Sequence, residues 1–363
     1  MMKNNYYYNI KDDIDKYPDA WAIFAWSGRS TGKTYSTLKY MLDEGRRFIF
    51  LKRTVEDVKL MLSGSGKIGS KISIFGADMS PFKAINRDTG ENVRAFSIYK
   101  GYLGGFWRCD DQNQPVGDPI GYVIALSSIA KVKGFDLSDC DFLVFDEFIP
   151  APGERADRNE GKQLLDLYMT VARDREHRGK APLKLIGLAN PTEINCPVFQ
   201  ELEIADAAAD MDAHGQEYRF ERGILMHRIQ MGEDFRDQES RMMVMQAMEG
   251  TAWRAMSSGE SFAYNDTQMV ERMSLKGFRC IIGIKYRKQN WFIYQRDELY
   301  YVCSSAGSPR DGEYDLNTDK GARAFAHEFQ LELKWAYIDG CVKFQRYTMF
   351  DVLINYKKFF PNV

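Results

Sequence analysis

Gly32-Lys33-Thr34 has the residue types and the order needed to grip a polyphosphate. It closes the stretch Ser27-Gly28-Arg29-Ser30-Thr31-Gly32-Lys33-Thr34. A tight turn that opens a helix aims its backbone N–H groups at one point and makes that point an anion site. An ammonium such as Lys33 then neutralises the β- and γ-phosphates of a nucleotide, and a hydroxyl such as Thr34 ligates Mg²⁺. One position departs from the usual P-loop pattern, since Ser27 stands where the first glycine is expected.

A second group of residues supplies the complementary chemistry. Asp141-Phe-Leu-Val-Phe-Asp-Glu-Phe is an apolar run ending in two adjacent acids, Asp146 and Glu147. In a nucleotide hydrolase the first acid, with Thr34, holds the Mg²⁺ shell and the second polarises the attacking water. The alternative is a buried strand whose last two residues merely reach solvent. Asn190 closes another apolar run, Lys184 to Asn190, and Pro191 stops it. An amide there contacts the γ-phosphate or the lytic water, or else simply starts an Asn-Pro turn.

These residues need strands and helices to hold them. The run Trp21 to Trp26 predicts a buried strand before the glycine turn, and the apolar spacing after Lys33 predicts a helix to about Asp43, capped at Gly45. Arg46 to Arg53 predicts the next strand, with Lys52 and Arg53 at its carboxyl end, where α/β sheets place ligands. A helix from Thr54 to about Leu62 follows. Lys71 to Asp118 is expected as a β-rich insertion, with strands at 72–75 and 92–99 and a glycine-rich bend at 101–105. Gly121 to Ser127 returns to a buried strand, and a helix from about Gly161 to Asp174 ends in a run of arginines. Residues 200–275, dense in Ala and Met, read as a helical linker, with the Met-rich stripe as a packing seam. Strands recur from 276 onward, followed by helices near 325–337 and 348–360. The expected division is a nucleotide-binding domain at 1–199, the linker at 200–275 and a β-rich domain at 276–363.

Composition narrows the class. The net charge of -2 removes any global basic field, so contact with nucleic acid must come from local patches. The six cysteines are scattered without a Cys-x-x-Cys pair, which fits reduced thiols in a cytoplasm. Four histidines show neither ligand spacing nor a partner for catalysis. No apolar run approaches membrane-spanning length and the first residues lack a signal segment, so no membrane association is expected.

Several residues carry two readings. Tyr6, Tyr7 or Tyr8 stacks on a nucleobase, or the segment packs on the sheet edge. Lys52 and Arg53 face phosphate or a neighbouring subunit. Lys131 and Lys133 face DNA or an adjacent subunit's site, or lie in a solvated turn. Arg173 extends toward a neighbour's γ-phosphate, with Arg175 as competitor, or pairs locally with Asp174 or Glu176.

The chain resembles the genome-packaging ATPases of small tailed bacteriophages whose motors also carry a ring of structured RNA. The likeness rests on the P-loop, Val-Phe-Asp-Glu-Phe, the arginine cluster and the β-rich tail, and is most specific at 25–53 and 123–190. It implies an α/β, additional-strand (ASCE) P-loop NTPase with ATP and Mg²⁺ as cofactors. It also implies a homo-oligomeric ring at the capsid portal that drives double-stranded DNA into a procapsid, acting in the bacterial host cytoplasm, with packaging RNA as a further partner. Carried over, Lys33 and Thr34 are the P-loop pair, Asp146 the Mg²⁺ carboxylate and Glu147 the catalytic glutamate. Arg173 is the trans-acting finger, Asn190 the sensor amide, and Lys133 a basic residue near the subunit boundary. Arg29 is a further family-like cation.

Related larger packaging enzymes append a nuclease of RNase H type. The run Phe278 to Tyr286 carries no acid where a first metal ligand is expected, so a nuclease-like fold without cleavage is predicted. The competing readings are a terminase large subunit with a working nuclease, and a nucleotide-dependent switch or P-loop kinase.

Overall fold

The computed structural model describes residues 7–62, 79–99, 101–132, 134–151, 153–154, 156–173, 175, 177–251, 253–254, 262, 267–361 and 363. The chain divides into two units, one comprising Met1–Leu202 with His214–Tyr264 and the other Glu203–Ala213 with Asn265–Val363.

The first unit is organised on nine strands: β1 (Ala22–Trp26), β2 (Phe48–Lys52), β3 (Val93–Tyr99), β4 (Leu103–Arg108), β5 (Gly121–Ala125), β6 (Phe142–Asp146), β7 (Lys184–Ala189), β8 (Tyr218–Glu221) and β9 (Ile224–Arg228). Their order across the sheet is β3-β4-β5-β2-β6-β7-β1-β9-β8. The six strands from β5 to β9 in that order are mutually parallel, while β4 and β8 run antiparallel to them at the two sides and β3 pairs antiparallel with β4. Parallel strands covered on both faces read as unbroken apolar runs. That is why Ala-Ile-Phe-Ala-Trp of β1 and Phe-Leu-Val-Phe of β6 show no polar alternation, and all are buried. Register aligns the carboxyl ends: Trp26 lies opposite Ala189, Asp146 opposite Leu188, and Leu51 opposite Phe145.

Helices form the crossovers that parallel strands require. In chain order they include α1 (Ile10–Lys16), α2 (Lys33–Asp43), α3 (Val55–Leu62), α4 (Lys83–Thr89), α5 (Ile129–Val132), α6 (Glu160–Ala172) and α7 (Pro197–Glu201). The α2 helix buries Thr37, Leu38, Met41 and Leu42, a stripe at helical spacing. Leu38 and Met41 join Ile23, Ala25, Val144 and Ile186 in the core. Gly161 lets α6 approach α7, since a Cβ there would stand 2.5 Å from the carbonyl oxygen of Pro197.

Two expectations need correction. The glycine-rich bend at 101–105 is largely the strand β4. A Cβ on Gly104 would meet Leu62 and Val123 at 2.7 and 2.8 Å, so these glycines permit close packing inside a strand. With β3, β4 extends the main sheet beyond β5; the strand expected at 72–75 lies outside the described residues. The all-helical reading of 200–275 also fails, because β9 pairs directly with β1 and β8 pairs with β9. The Ala- and Met-rich composition hid a short hairpin, β8–β9, that is recognised only through the pairing of β9 with β1, where Ala22 lies opposite Ile224.

The second unit carries β10 (Arg279–Tyr286), β11 (Gln289–Arg296), β12 (Leu299–Cys303), β13 (Gly312–Asp315) and β14 (Val342–Phe344), in the order β13-β10-β11-β12-β14. The first three form an antiparallel meander, and β13 and β14 are parallel to their neighbours. The helix α8 (Ala205–Ala213) belongs here: Asp206 accepts from the backbone N–H of Thr348 at 2.9 Å. The helix expected near 325–337 begins earlier, at Asp319, and contains a π turn at Ala326–Gln330.

Gly187 in β7 tests the packing between the two strands that carry the chemistry. A Cβ there would lie 2.4 Å from a ring carbon of Phe24 and 3.0 Å from one of Phe148. Gly187→Ala is expected to lower stability by about 1–3 kcal/mol, read as a lower denaturant midpoint for the first unit.

Candidate nucleotide site

The turn between β1 and α2 takes its shape from backbone conformation. Positive φ falls on Ser30 (60°) and Gly32 (83°), and Gly32 is the N-cap of α2. Ser27 is not among the positive-φ residues, so the absence of a glycine there leaves no strain. Its hydroxyl is used instead, lying 2.7 Å from Thr31 Oγ1 and accepting from Lys33 Nζ at 2.9 Å.

Lys33 is buried and folds back into the loop. Its Nζ also lies 3.1 Å from the Ser27 carbonyl oxygen, 2.8 Å from that of Gly28 and 3.3 Å from Asn190 Oδ1. Burial pulls its pKa from the ordinary 10.5 down to about 7, against the opposing pull of Asp146 and Glu147. The loop therefore holds an amine whose charge is held back by burial and whose carbonyl partners a phosphate can replace.

Register brings the acids to the same edge. Thr34 Oγ1 donates to Asp146 Oδ1 at 2.8 Å. A hydroxyl and a carboxylate oxygen side by side form a hard-oxygen pair suited to Mg²⁺, which keeps most of its waters and needs few protein ligands. Lys52 ends β2 beside Asp146; its Nζ donates to Asp146 Oδ2 at 2.9 Å and to Glu147 Oε2 at 3.3 Å. Burial lowers the Lys52 pKa, but the two carboxylates outweigh it and leave it raised. Glu147 has φ 62° and its side chain is 65% exposed, so the acid projects from the strand end into the open. Arg29, Thr34, Asp146, Glu147 and Asn190 all line one cleft of about 410 Å³.

The residues before β1 support the loop. The Tyr8 N–H donates to the Thr31 carbonyl at 3.0 Å, and the Ile10 N–H to Ser36 Oγ at 3.0 Å. Tyr8 itself is buried, its hydroxyl donating to buried Asp13, so it is not available to a base. Tyr7 is 57% exposed and sits against Gly32, whereas Tyr6 lies outside the described residues. His227, which packs beside Tyr8, has its Nδ1 2.8 Å from Asp13 Oδ2. A separation of 214 residues kept that pair out of sight in the sequence.

The remaining cations separate clearly. Arg53 is buried and ion-paired to Glu160 and Glu154, which overturns its reading as a boundary or DNA contact. Arg175 is 1% exposed and bonded to the carbonyls of Ala181, Ser138 and Cys140 and to the Asp141 carboxylate, so it cannot serve as a finger. Arg173, the C-cap of α6, is exposed and outside the cleft of its own chain. Lys131 is exposed, with its Nζ 4.1 Å from the Tyr102 ring centroid. Lys133, Asp174 and Glu176 lie outside the described residues.

Comparison with known proteins places this geometry in a context. The family described as Podovirus DNA encapsidation protein (Gp16) matches residues 116–358, more than half of the chain. The DNA packaging protein of Bacillus phage B103 is 22% identical over 306 residues, covering 82% of this chain and 81% of that protein. Among solved structures, the bacteriophage Phi-29 viral genome packaging motor assembly contains a chain matching with a TM-score of 0.64 at 16% identity, over 97% of this chain and 99% of that one. A chain of the Phi-28 gp11 DNA packaging motor matches with a TM-score of 0.57 at 18% identity, over 98% and 97%.

The buried Lys33 generates a pH prediction. Its folded pKa lies below the unfolded value, so between about 7 and 10.5 the unfolded chain binds more protons and stability rises with pH. Bound polyphosphate favours the charged form and raises the pKa again. Nucleotide binding at pH 8 should therefore take up protons, seen as a heat of binding that varies with the ionisation enthalpy of the buffer. Replacement by Lys33→Met should abolish that variation.

Proposed function

The chain belongs to the Podovirus DNA encapsidation protein (Gp16) family, and from that premise we propose that it is the ATP-hydrolysing subunit of a DNA-packaging motor. The observation that carries this reading is the convergence of Lys33, Thr34, Asp146, Glu147 and Asn190 on one cleft at the carboxyl edge of the parallel sheet. The strand β7 between β6 and β1 supports assignment to the additional-strand (ASCE) class of P-loop NTPases.

The residues divide the work as their positions suggest. Backbone N–H groups of the turn and the Lys33 ammonium bind the β- and γ-phosphates of ATP, with Ser27 to Gly32 forming the cradle. Thr34 and Asp146 hold Mg²⁺, which when bound supplies charge neutralisation at the phosphates. Glu147 orients the attacking water and accepts its proton, while Asn190 contacts the γ-phosphate or that water. Lys52 holds both acids through the pairs described above, so a productive site requires it to release Glu147. Tyr7 offers a ring face for the nucleobase beside Gly32.

Arg173 completes a neighbour's site. An exposed guanidinium at the end of a rigid helix, outside its own cleft, suits a finger acting between subunits. This gives a homo-oligomeric ring in which hydrolysis depends on the next subunit. The ring works on double-stranded DNA at a capsid portal, alongside structured RNA, in the host cytoplasm and at the procapsid. The second unit is read as a nuclease-like fold that binds DNA, RNA or portal without cutting, because β10 carries no carboxylate. The functional division is 1–199, 200–275 and 276–363, the middle region giving β8 and β9 to the sheet of the first unit and α8 to the second.

Steady-state ATP hydrolysis should be measured against protein concentration, with and without double-stranded DNA, using Glu147→Gln as the blank. A rate per subunit that rises with both is expected. Arg173→Ala alone should lose roughly 10³-fold, and mixing it with Glu147→Gln should restore part of the rate, because each protein supplies what the other lacks. A Glu147-dependent rate flat in concentration and DNA would remove the ring motor and leave an ATPase.

A further inference from the structure

The carboxylate of Glu147 has an exposed side chain but a constrained backbone, and the constraint comes from one buried residue. Arg53 follows β2 directly and is 7% exposed. Its Nη2 donates to the carbonyl oxygen of Glu147 at 2.9 Å and to that of Phe148 at 3.1 Å. Its Nε and Nη2 grip Glu160 at 2.6 and 3.2 Å, and its Nη1 donates to Glu154 at 2.8 Å. Glu160 is 1% exposed and is the first residue of α6. On the far side of the same turn the Phe148 N–H donates to the Leu188 carbonyl at 3.2 Å.

We propose that Arg53 is a positioning residue for Glu147: by holding the carbonyls of Glu147 and Phe148 it fixes the left-handed turn that aims the glutamate into the cleft. The inference rests on the reading of Glu147 as the water-activating acid. A non-glycine residue at φ 62° persists only where its surroundings over-determine it. Here the turn is clasped from one side by β7 and from the other by Arg53. If the guanidinium served only as a counter-ion for Glu160, the two carbonyl contacts would have no purpose. The planar fork serves Glu160, Glu154 and two carbonyls at once, which a lysine cannot reproduce. Because Glu160 opens α6 and Arg173 caps its other end, the same clasp joins the catalytic turn to the helix that presents Arg173.

Arg53→Lys keeps the charge and removes the fork. Binding of a fluorescent ATP analogue should stay within about twofold, since Lys33, Thr34 and Asp146 are untouched, while kcat should fall on the order of 10- to 100-fold through misplacement of the acid. A merely structural residue would move both, or neither. In single turnovers with radiolabelled ATP, Arg53→Lys should cost nothing further in a Glu147→Gln background, because it acts only through Glu147. Hydrogen exchange at the Phe148 and Ile149 amides should quicken in Arg53→Lys at an unchanged denaturant midpoint.

If Arg53→Lys fails to fold, the pair Arg53→Met with Glu160→Met removes both buried charges together and takes the same measurements. Wild-type kcat in a folded variant, a full additional loss in the Glu147→Gln background, or unchanged exchange would each overturn the proposal. Exchange does not depend on turnover. A wild-type chain without Glu147-dependent hydrolysis would therefore sink the hydrolase reading while the exchange result still decided whether Arg53 holds the turn.

Discussion

At the carboxyl edge of the parallel sheet two lysines and two carboxylates lie close together, and the partners they find in the loop and in one another are the constraint around which the first unit is built. Burying either lysine alone would be costly. Lys33 is tolerated because the loop turns its own carbonyls and the Ser27 hydroxyl inward, and Lys52 because Asp146 and Glu147 sit within reach. These charges come from the ends of three strands, β1, β2 and β6, and β7 adds Asn190 between them, so the arrangement exists only when β1, β2, β6 and β7 are in register. An ion-paired, partly desolvated set of this kind is poised for exchange: a polyanion and a divalent cation can take over the roles the side chains play for one another.

Backbone shape carries as much of the site as side-chain charge. Gly32 and Ser30 bend the turn, Glu147 bends the exit of β6, and Gly187 lets Phe24 and Phe148 pack across β7. Ser27 illustrates how a missing glycine can be harmless. The position needs no positive φ, and a hydroxyl there gains two partners inside the loop. The buried Asp13, joining Tyr8 to His227, seats the segment whose amides bond the loop, so the geometry of the turn depends on contacts well outside the motif.

Four arginines look alike in the sequence and meet four different fates. Arg29 is exposed in the loop between β1 and α2, Arg53 is buried at a strand end, Arg175 is buried among carbonyls, and Arg173 is exposed at the end of α6. Their neighbours in sequence do not separate them. Arg53 finds Glu160 across 107 residues and Arg175 finds Asp141 across 34. An arginine without such a distant partner stays at the surface, where it can serve another molecule.

The sequence by itself determined the local chemistry: the glycine turn between strand and helix, the paired acids ending an apolar run, and Asn190 before a proline. These are short-range patterns, set by periodicity and by the conformational habits of glycine and proline, so they survive without knowledge of partners. It also carried the parallel α/β character of the first unit, through unbroken apolar strands. Only the tertiary structure decided which strands adjoin, that 218–228 completes the sheet, that glycines 104 and 105 lie in a strand, and that Lys52 rather than Arg53 meets the acids. Those outcomes depend on pairing and burial between residues tens to hundreds of positions apart, and a one-dimensional pattern holds no record of which buried charge will find which partner.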